Sequence, residues 1–95
     1  MFEIKNLLWD DWNRAHIARH QVTQEEVEQI CQGDYIFWET YDGRILIVGE
    51  TKMGRLISVV VGDKGEGLYY PVTARPASRK ERRRYLELKG GEEVA

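Results

Sequence analysis

Apolar residues recur at helical spacing near both ends of the chain, and apolar runs typical of strands lie between them. The short apolar segment Leu7–Trp9 is a candidate edge strand. After it, Asp10 or Asp11 can cap a helix that runs to about His20. Three ring side chains recur every four residues and share one face of this helix: Trp12, His16 and His20.

The second helical segment has a clear start signal. Thr23 at the N-cap and Glu26 three residues later form a capping box. An apolar i, i+3, i+4 stripe follows, made of Val27, Ile30 and Cys31. Gly33 is placed to end this helix. Cys31 is the only cysteine, so no disulfide can form within the chain, and we expect it to be a small buried hydrophobic residue.

The centre of the chain changes to the pattern of strands. Glycine-containing turns separate four segments rich in β-branched and aromatic residues: 35–40, 44–49, 55–61 and 68–74. Asp42-Gly43 is a strong hairpin signal, and connections this short predict an antiparallel meander with the third, most apolar strand at its centre. Pro71 lacks an N–H, so the fourth strand is either an edge or turns this nitrogen away from its neighbour.

A third helix completes the pattern. Ser78 and Glu81 form a second capping box, which opens a helix that runs to about Leu88. The sequence therefore predicts an α+β fold with two N-terminal helices, a four-stranded antiparallel meander sheet and a C-terminal helix. We expect a single domain over residues 1–89 and a flexible, glycine-led tail over residues 90–95.

The composition indicates the class of protein but not its activity. The 95 residues are 42% apolar, as in a folded domain, and no apolar run approaches the roughly 20 residues that a membrane helix needs. No basic segment followed by an apolar one, the mark of a secretion signal, is visible at the N-terminus. We therefore expect a cytoplasmic protein with no membrane partner.

The strongest local feature is a basic block at residues 75–84. It has six cations and one anion, whereas the rest of the chain has 8 cations and 15 anions, a net charge of −7. A basic block on an acidic protein predicts a localised site for phosphate groups or for a carboxylate-rich partner. Five of the six cations are arginines, whose guanidinium groups bind phosphate with two parallel hydrogen bonds.

The capping box at Ser78 places most of this block on the first two turns of the third helix. One face carries Arg79, Arg82, Arg83 and Leu86, while the residues better placed to pack on the sheet are Tyr85 and Leu88. Arg75 lies just before the cap, where the helix N-terminus adds positive potential. The alternative is a solvated helix face with arginine–glutamate pairs, for which only Glu81 and Glu87 lie nearby.

His16 and His20 could form half of a metal site or could transfer protons. The chain has no third histidine and no glutamate of an H-E-x-x-H motif between these two, so we expect no metal and no cofactor. Histidine suits acid–base catalysis near neutral pH, and the structural alternative is that both rings only pack or end their helix. Other rings either stack on bases or belong to the core: Trp9, Trp12, Trp38, Tyr69, Tyr70 and Tyr85.

Three segments, taken in order, carry a family resemblance. The first spans residues 9–27 and contains Trp9-Asp10, Asn13, His16-Ile17 and Arg19-His20. The second spans residues 44–61, and the third has the pattern A-R-x-x-[ST]-x-x-E-R-x-x-Y at residues 74–85, the most specific of the three. In this order and spacing the chain, over roughly residues 8–86, resembles the BrnT family of toxins from type II toxin–antitoxin systems.

The resemblance implies a compact fold similar to the RelE ribonucleases, with helices packed on a small antiparallel sheet. It also implies a ribonuclease that arrests translation and is neutralised by an antitoxin, BrnA, whose DNA-binding domain lets the complex repress its operon. RNA would be bound directly and DNA only through the antitoxin, in a homodimer or in a heterotetramer with the antitoxin. Typical members carry lysine and glycine where this chain has Arg19 and Gln21.

The implied mechanism uses no metal. The ribose 2′-OH attacks the adjacent phosphorus, and arginines stabilise the negative charge that develops on the phosphorane. The resemblance assigns this role to Arg75, Arg79 and Arg83. The candidate proton-transfer groups are, in order, His20, His16 and Tyr85. Further contacts to RNA phosphate or to the antitoxin are expected from Lys80, Arg82 and Arg84. The alternative is a non-catalytic interaction module whose basic helix binds an acidic protein, or RNA that it does not cleave.

Overall fold

The computed structural model describes residues 2–89, and the predicted flexible tail, residues 90–95, lies outside the described residues. This range contains three helices: α1 (Asp11–Ala18), α2 (Gln24–Gln32) and α3 (Arg79–Lys89). It also contains five strands: β1 (Asn6–Leu7), β2 (Tyr35–Glu39), β3 (Ile45–Glu50), β4 (Leu56–Asp63) and β5 (Leu68–Pro76). The predicted α+β class is confirmed, and a short strand precedes the first helix.

The strands form one mixed sheet in the order β1-β5-β4-β3-β2. Strands β2 to β5 are the predicted antiparallel meander, with β4 at the centre of the sheet. The prediction of a four-stranded, purely antiparallel sheet is wrong, because β1 adds a parallel strand that pairs Asn6 with Leu68 and Leu7 with Tyr69. A strand of two residues leaves no alternating pattern, so its pairing cannot be seen in the sequence.

The connection between β2 and β3 is a single 3-10 turn, Tyr41–Gly43. Asp42 and Gly43 have φ angles of 57° and 70°. Both values lie in the left-handed region that a tight type I′ hairpin needs at its two central residues. The turn predicted from Asp42-Gly43 is therefore confirmed.

Strand β5 accommodates Pro71 because only the first part of β5 has a strand neighbour on the β1 side. Because β1 pairs only with Leu68 and Tyr69, the side of β5 beyond Tyr69 has no strand neighbour among residues 2–89. There the side-chain amide of Asn13 donates to the carbonyl oxygens of Leu8 (3.0 Å) and Pro71 (3.1 Å). Asn13 is fully buried, so it joins α1 to the open edge of β5.

Helices pack on both faces of the sheet. Helices α1 and α2 cover one face, whose buried side chains include Ile17, Val27, Ile30, Ile47, Ile57 and Val59. Helix α3 packs on the other face, where the buried side chains are Ile36, Leu46, Val48, Val60, Ala77 and Tyr85. Successive strand residues point to opposite faces, which explains why Leu46 and Ile47 belong to different clusters. Helices α1 and α3 therefore lie on opposite sides of the sheet.

The predicted caps are present at all three helices, and the box between Ser78 and Glu81 opens α3. Asp10, rather than Asp11, caps α1, and it forms a reciprocal capping box with Asn13. The predicted box between Thr23 and Glu26 opens α2. Each box satisfies backbone N–H groups that the first helical turn leaves without an intrahelical acceptor.

Helix α1 ends earlier than predicted, in a Schellman motif. The N–H of Val22 donates to the carbonyl of Ile17 (3.2 Å), and the N–H of Gln21 donates to that of Ala18 (2.9 Å). Gln21 has a φ of 62°, the left-handed conformation that this motif requires and that glycine usually supplies. Because this position holds glutamine, no glycine in the sequence marks the end of the helix.

Two expectations from composition can be compared with the structure. Cys31 is buried, as predicted, and burial raises the pKa of its thiol to about 12. Within residues 2–89, no helix is both long enough and apolar enough to cross a membrane.

Candidate functional site

The junction between β5 and α3 is held by a group of polar side chains. Nη1 of Arg75 donates to Oε1 of Glu81 (2.7 Å), and Nη2 donates to Oε2 (2.8 Å). Oε1 also accepts from the hydroxyl of Ser58 (2.7 Å) and from the backbone N–H of Ser78 (2.8 Å). We call Arg75, Glu81, Ser58 and Ser78 the junction clamp.

The junction clamp keeps Glu81 ionised. The hydrogen bonds from Arg75, together with those from Ser78 and Ser58, lower the pKa of the Glu81 carboxyl to about 2 against the opposing effect of burial. The same pair raises the pKa of Arg75. From the sequence, Glu81 was expected to cap α3 or to pair with an arginine on a solvated face, and Arg75 was expected to contact phosphate. The structure places both inside one internal ion pair, which orients α3 on the sheet.

The other cations of the basic block project from α3. Arg79, Lys80, Arg82 and Arg83 are exposed, and within residues 2–89 none of them has a carboxylate oxygen within 4.0 Å. Arg79 and Arg82 line a shallow depression on the surface. Within residues 2–89, the arginine–glutamate pairing of the basic block is thus confined to Arg75 and Glu81. The other four residues, which we call the α3 cations, are free to meet an anionic ligand.

The remaining face of α3 is only partly covered. Tyr85 packs in the core as predicted, and burial raises the pKa of its phenol. The guanidinium of Arg84 lies 5.3 Å from the ring centre of Trp38, a cation–π contact. Leu88 was predicted to pack on the sheet, and this is wrong: Leu88 is 57% exposed and Leu86 is 54% exposed. Helix α3 thus presents two leucines as well as its cations to the surroundings.

The two histidines lie away from the α3 cations. On α1, the rings of Trp12 and His16 are stacked, with centres 4.7 Å apart and planes 8° from parallel. His20 meets His16 edge-on at 5.7 Å. The prediction that Trp12, His16 and His20 share one face of α1 is confirmed. This face is remote from the α3 cations, because α1 and α3 lie on opposite sides of the sheet. No group of three His, Cys, Asp or Glu side chains that could hold a metal ion occurs within residues 2–89.

A cleft of about 470 Å³ lies where α1 meets the turns of the meander. Its lining combines aromatic, cationic and acidic residues: Trp12, Tyr70, Arg44, Lys64, Asp42 and Asp63. Apart from Trp12 and Tyr70, sequence reasoning did not select these residues. The sequence did contain a signal for this cleft. The β2–β3 and β4–β5 turns must lie at the same end of an antiparallel meander, and both turns carry charged residues.

The described residues thus offer two separate surfaces: the α3 cations beside the junction clamp, and the cleft beside Trp12. No family model, no curated protein and no solved structure matches the chain. The function therefore has to be inferred from the chemistry of these two surfaces.

Proposed function

We propose that this chain is the toxin of a type II toxin–antitoxin system similar to BrnT, a metal-independent ribonuclease that binds RNA through the α3 cations. The observation that carries this proposal is the set of four exposed cations without a carboxylate partner within residues 2–89. Like charges at i, i+4, such as Arg79 and Arg83, destabilise an isolated helix by about 0.2–0.5 kcal/mol per pair. Phosphate groups of RNA would neutralise this repulsion.

In the proposed reaction, the ribose 2′-OH loses its proton and attacks the adjacent phosphorus, and Arg79 and Arg83 stabilise the charge that builds up on the phosphorane. The bond from phosphorus to the 5′-oxygen of the next nucleotide then breaks, this oxygen takes up a proton and leaves, and a 2′,3′-cyclic phosphate remains. Arg75 acts indirectly as a positioning residue, because Glu81 holds both of its Nη groups. Proton transfer by His20, His16 or Tyr85 stays a prediction. The burial of Tyr85, and the position of both histidines across the sheet, favour the arginines as the main catalytic groups.

The test uses purified protein and single-stranded RNA in the presence of EDTA. We expect cleavage, and we expect the double variant Arg79→Ala/Arg83→Ala to cleave more slowly by roughly 10²-fold or more, as when preorganised donors to a developing charge are removed. The matched control, Arg14→Ala/Arg19→Ala, removes the same charge from the α1 side of the sheet and should cleave at the wild-type rate. Equal rates for both double variants would refute the assignment.

Affinity should also depend on salt. Each neutralised phosphate of a single strand contributes a slope of about −0.7 to a plot of log K against log salt concentration, so four cations predict a slope between about −2 and −3. Arg83→Ala should make this slope shallower by about 0.7. An unchanged slope would mean that Arg83 does not contact the RNA backbone.

A second candidate is a non-catalytic module whose α3 binds an acidic partner protein. Its support is the exposure of Leu86 and Leu88 beside the cations, since apolar side chains contribute to a protein interface and not to phosphate binding. The two candidates are separated by examining the neighbouring gene for a small DNA-binding protein and by expressing the chain alone and together with that gene's product. Growth arrest that co-expression relieves supports a toxin with a BrnA-like antitoxin, whereas normal growth and intact RNA support the module.

A further inference from the structure

The cleft beside Trp12 has the features of a ligand site that the α3 proposal does not use. Trp12 is 57% exposed although it lines this cleft. The ring of His16 covers one face of the indole at 4.7 Å and fixes its orientation, which leaves the other face accessible to a flat ligand. Tyr70 adds a second aromatic wall, and its hydroxyl donates to the Asp10 carboxylate at 2.9 Å.

Charges of both signs line the same cleft. Arg44 and Lys64 each lie 5.7 Å from the centre of a tyrosine ring, and neither has a carboxylate oxygen within 4.0 Å in residues 2–89. Asp42 and Asp63 are the acidic lining residues, and Asp63 already accepts a hydrogen bond from the backbone N–H of Gly65 (2.7 Å). A lining with two cations and two anions does not favour the binding of a polyanion. It favours a ligand that carries a negative group and also presents hydrogen-bond donors.

From this combination we infer that the cleft binds a guanine nucleotide, either free or as one residue of a single-stranded RNA. The base stacks on the open face of Trp12, as bases stack on aromatic side chains in single-strand binding sites. The carboxylate of Asp42 accepts from the N–H groups of guanine, because an ionised carboxylate can only accept hydrogen bonds. Arg44 and Lys64 bind the phosphate. A cleft of about 470 Å³ falls within the usual range for a small-molecule site.

Isothermal titration calorimetry with GMP and with UMP tests this inference on the intact chain. We expect saturable GMP binding that is about tenfold tighter than UMP binding, because uracil lacks an amino group to pair with Asp42. Trp12→Ala should weaken GMP binding by roughly tenfold or more through the loss of stacking. Phe37→Ala, which removes an exposed ring from β2, is the matched control and should leave the affinity unchanged.

Further variants separate the groups of the cleft. Lys64→Ala should weaken both nucleotides alike, whereas Asp42→Asn should reduce the preference for GMP over UMP. GMP binding to the cleft and RNA cleavage by the α3 cations are measured separately, so a failure of the α3 proposal leaves this inference standing, and the reverse is also true. A short oligoribonucleotide with one guanine identifies the source: tighter binding than GMP indicates an RNA strand, and equal binding indicates a free nucleotide.

Two results would overturn the inference. One is the absence of saturable GMP binding to the folded wild-type chain. The other is equal GMP affinity in the wild type, Trp12→Ala and Lys64→Ala, with circular dichroism showing that both variants are folded.

Discussion

Replacing Glu81 with glutamine removes the charge at the centre of the junction clamp while keeping the size of the side chain. Arg75 would lose its ionic partner, and the amide nitrogen of the new side chain could not accept the hydrogen bonds that Oε1 and Oε2 accept now. The Glu81 side chain is only 12% exposed, so water can replace these bonds only in part. We therefore expect a clear loss of stability.

The magnitude follows from the lowered pKa. A fall from the ordinary value of 4.5 to about 2 corresponds to roughly 3 kcal/mol of folding free energy at neutral pH. Because the Arg75 side chain is 40% exposed, solvent screens part of this interaction, and we expect Glu81→Gln to lower the free energy of unfolding by about 2 kcal/mol at pH 7.

The loss should depend on pH in a defined direction. A carboxyl whose pKa is lowered by folding stabilises the fold fully above its unfolded pKa of about 4.5 and loses that effect as pH falls towards 2. The difference between wild type and Glu81→Gln should therefore be constant from pH 7 to about pH 5.5 and should shrink by more than half by about pH 3.

Urea unfolding followed by circular dichroism at a series of pH values measures this difference. Glu87→Gln is the matched control: Glu87 is exposed on the same helix, and its replacement should change stability by less than about 0.5 kcal/mol. A Glu81→Gln effect below about 0.5 kcal/mol at pH 7, or one that does not change between pH 5.5 and pH 3, would refute the reasoning.

Two further predictions concern stability, and thermal or urea unfolding checks both. Gln21→Gly should stabilise the chain by about 0.5–1 kcal/mol, because relief of a left-handed conformation is worth about 1–2 kcal/mol and the added freedom of the unfolded chain offsets about 0.4–1 kcal/mol of it. The same change at Gln32, a helical residue, should destabilise the chain. Asn13→Ala should cost about 2–4 kcal/mol, because the backbone N–H of Asp10 loses its acceptor and the carbonyl groups of Leu8 and Pro71 lose their donor. Asn6→Ala, at an exposed asparagine, should have little effect, and equal losses at both asparagines would contradict the role of Asn13 at the β5 edge.

Much of the fold could be predicted because local signals agreed with tertiary structure. The box between Thr23 and Glu26 marked the start of α2, and Asp42-Gly43 marked the first hairpin of the meander. The end of α1 was not predictable in the same way, since a glutamine occupies the left-handed position. The candidate edge strand Leu7–Trp9 overlaps β1, but its parallel pairing with β5 was missed because two residues have no period and their partner lies about 60 positions away in sequence.

The candidate site was predictable only in part. The charge count located the α3 cations, but it could not show that Arg75 forms an ion pair with Glu81. Ser58 on β4, which lies outside the basic block, also donates to Glu81 and completes the junction clamp. The cleft depends on two turns that only the folded sheet brings together. Spacing along a helix therefore identifies cations that share a face, whereas the partners of each cation depend on the sheet.

The contacts at the β5 edge also constrain the order in which the chain can fold as it leaves the ribosome. The backbone N–H of Lys5 donates to Gly67, and the N–H of Leu8 donates to Tyr69, so this end of the sheet cannot close until about 60 further residues have been synthesised. The pairing between β3 and β4 joins residues that are close in sequence, so this hairpin can form earlier. Residues 5–8 therefore remain without their strand partner until β5 has been synthesised, and until then the open edge of the sheet is available to other chains.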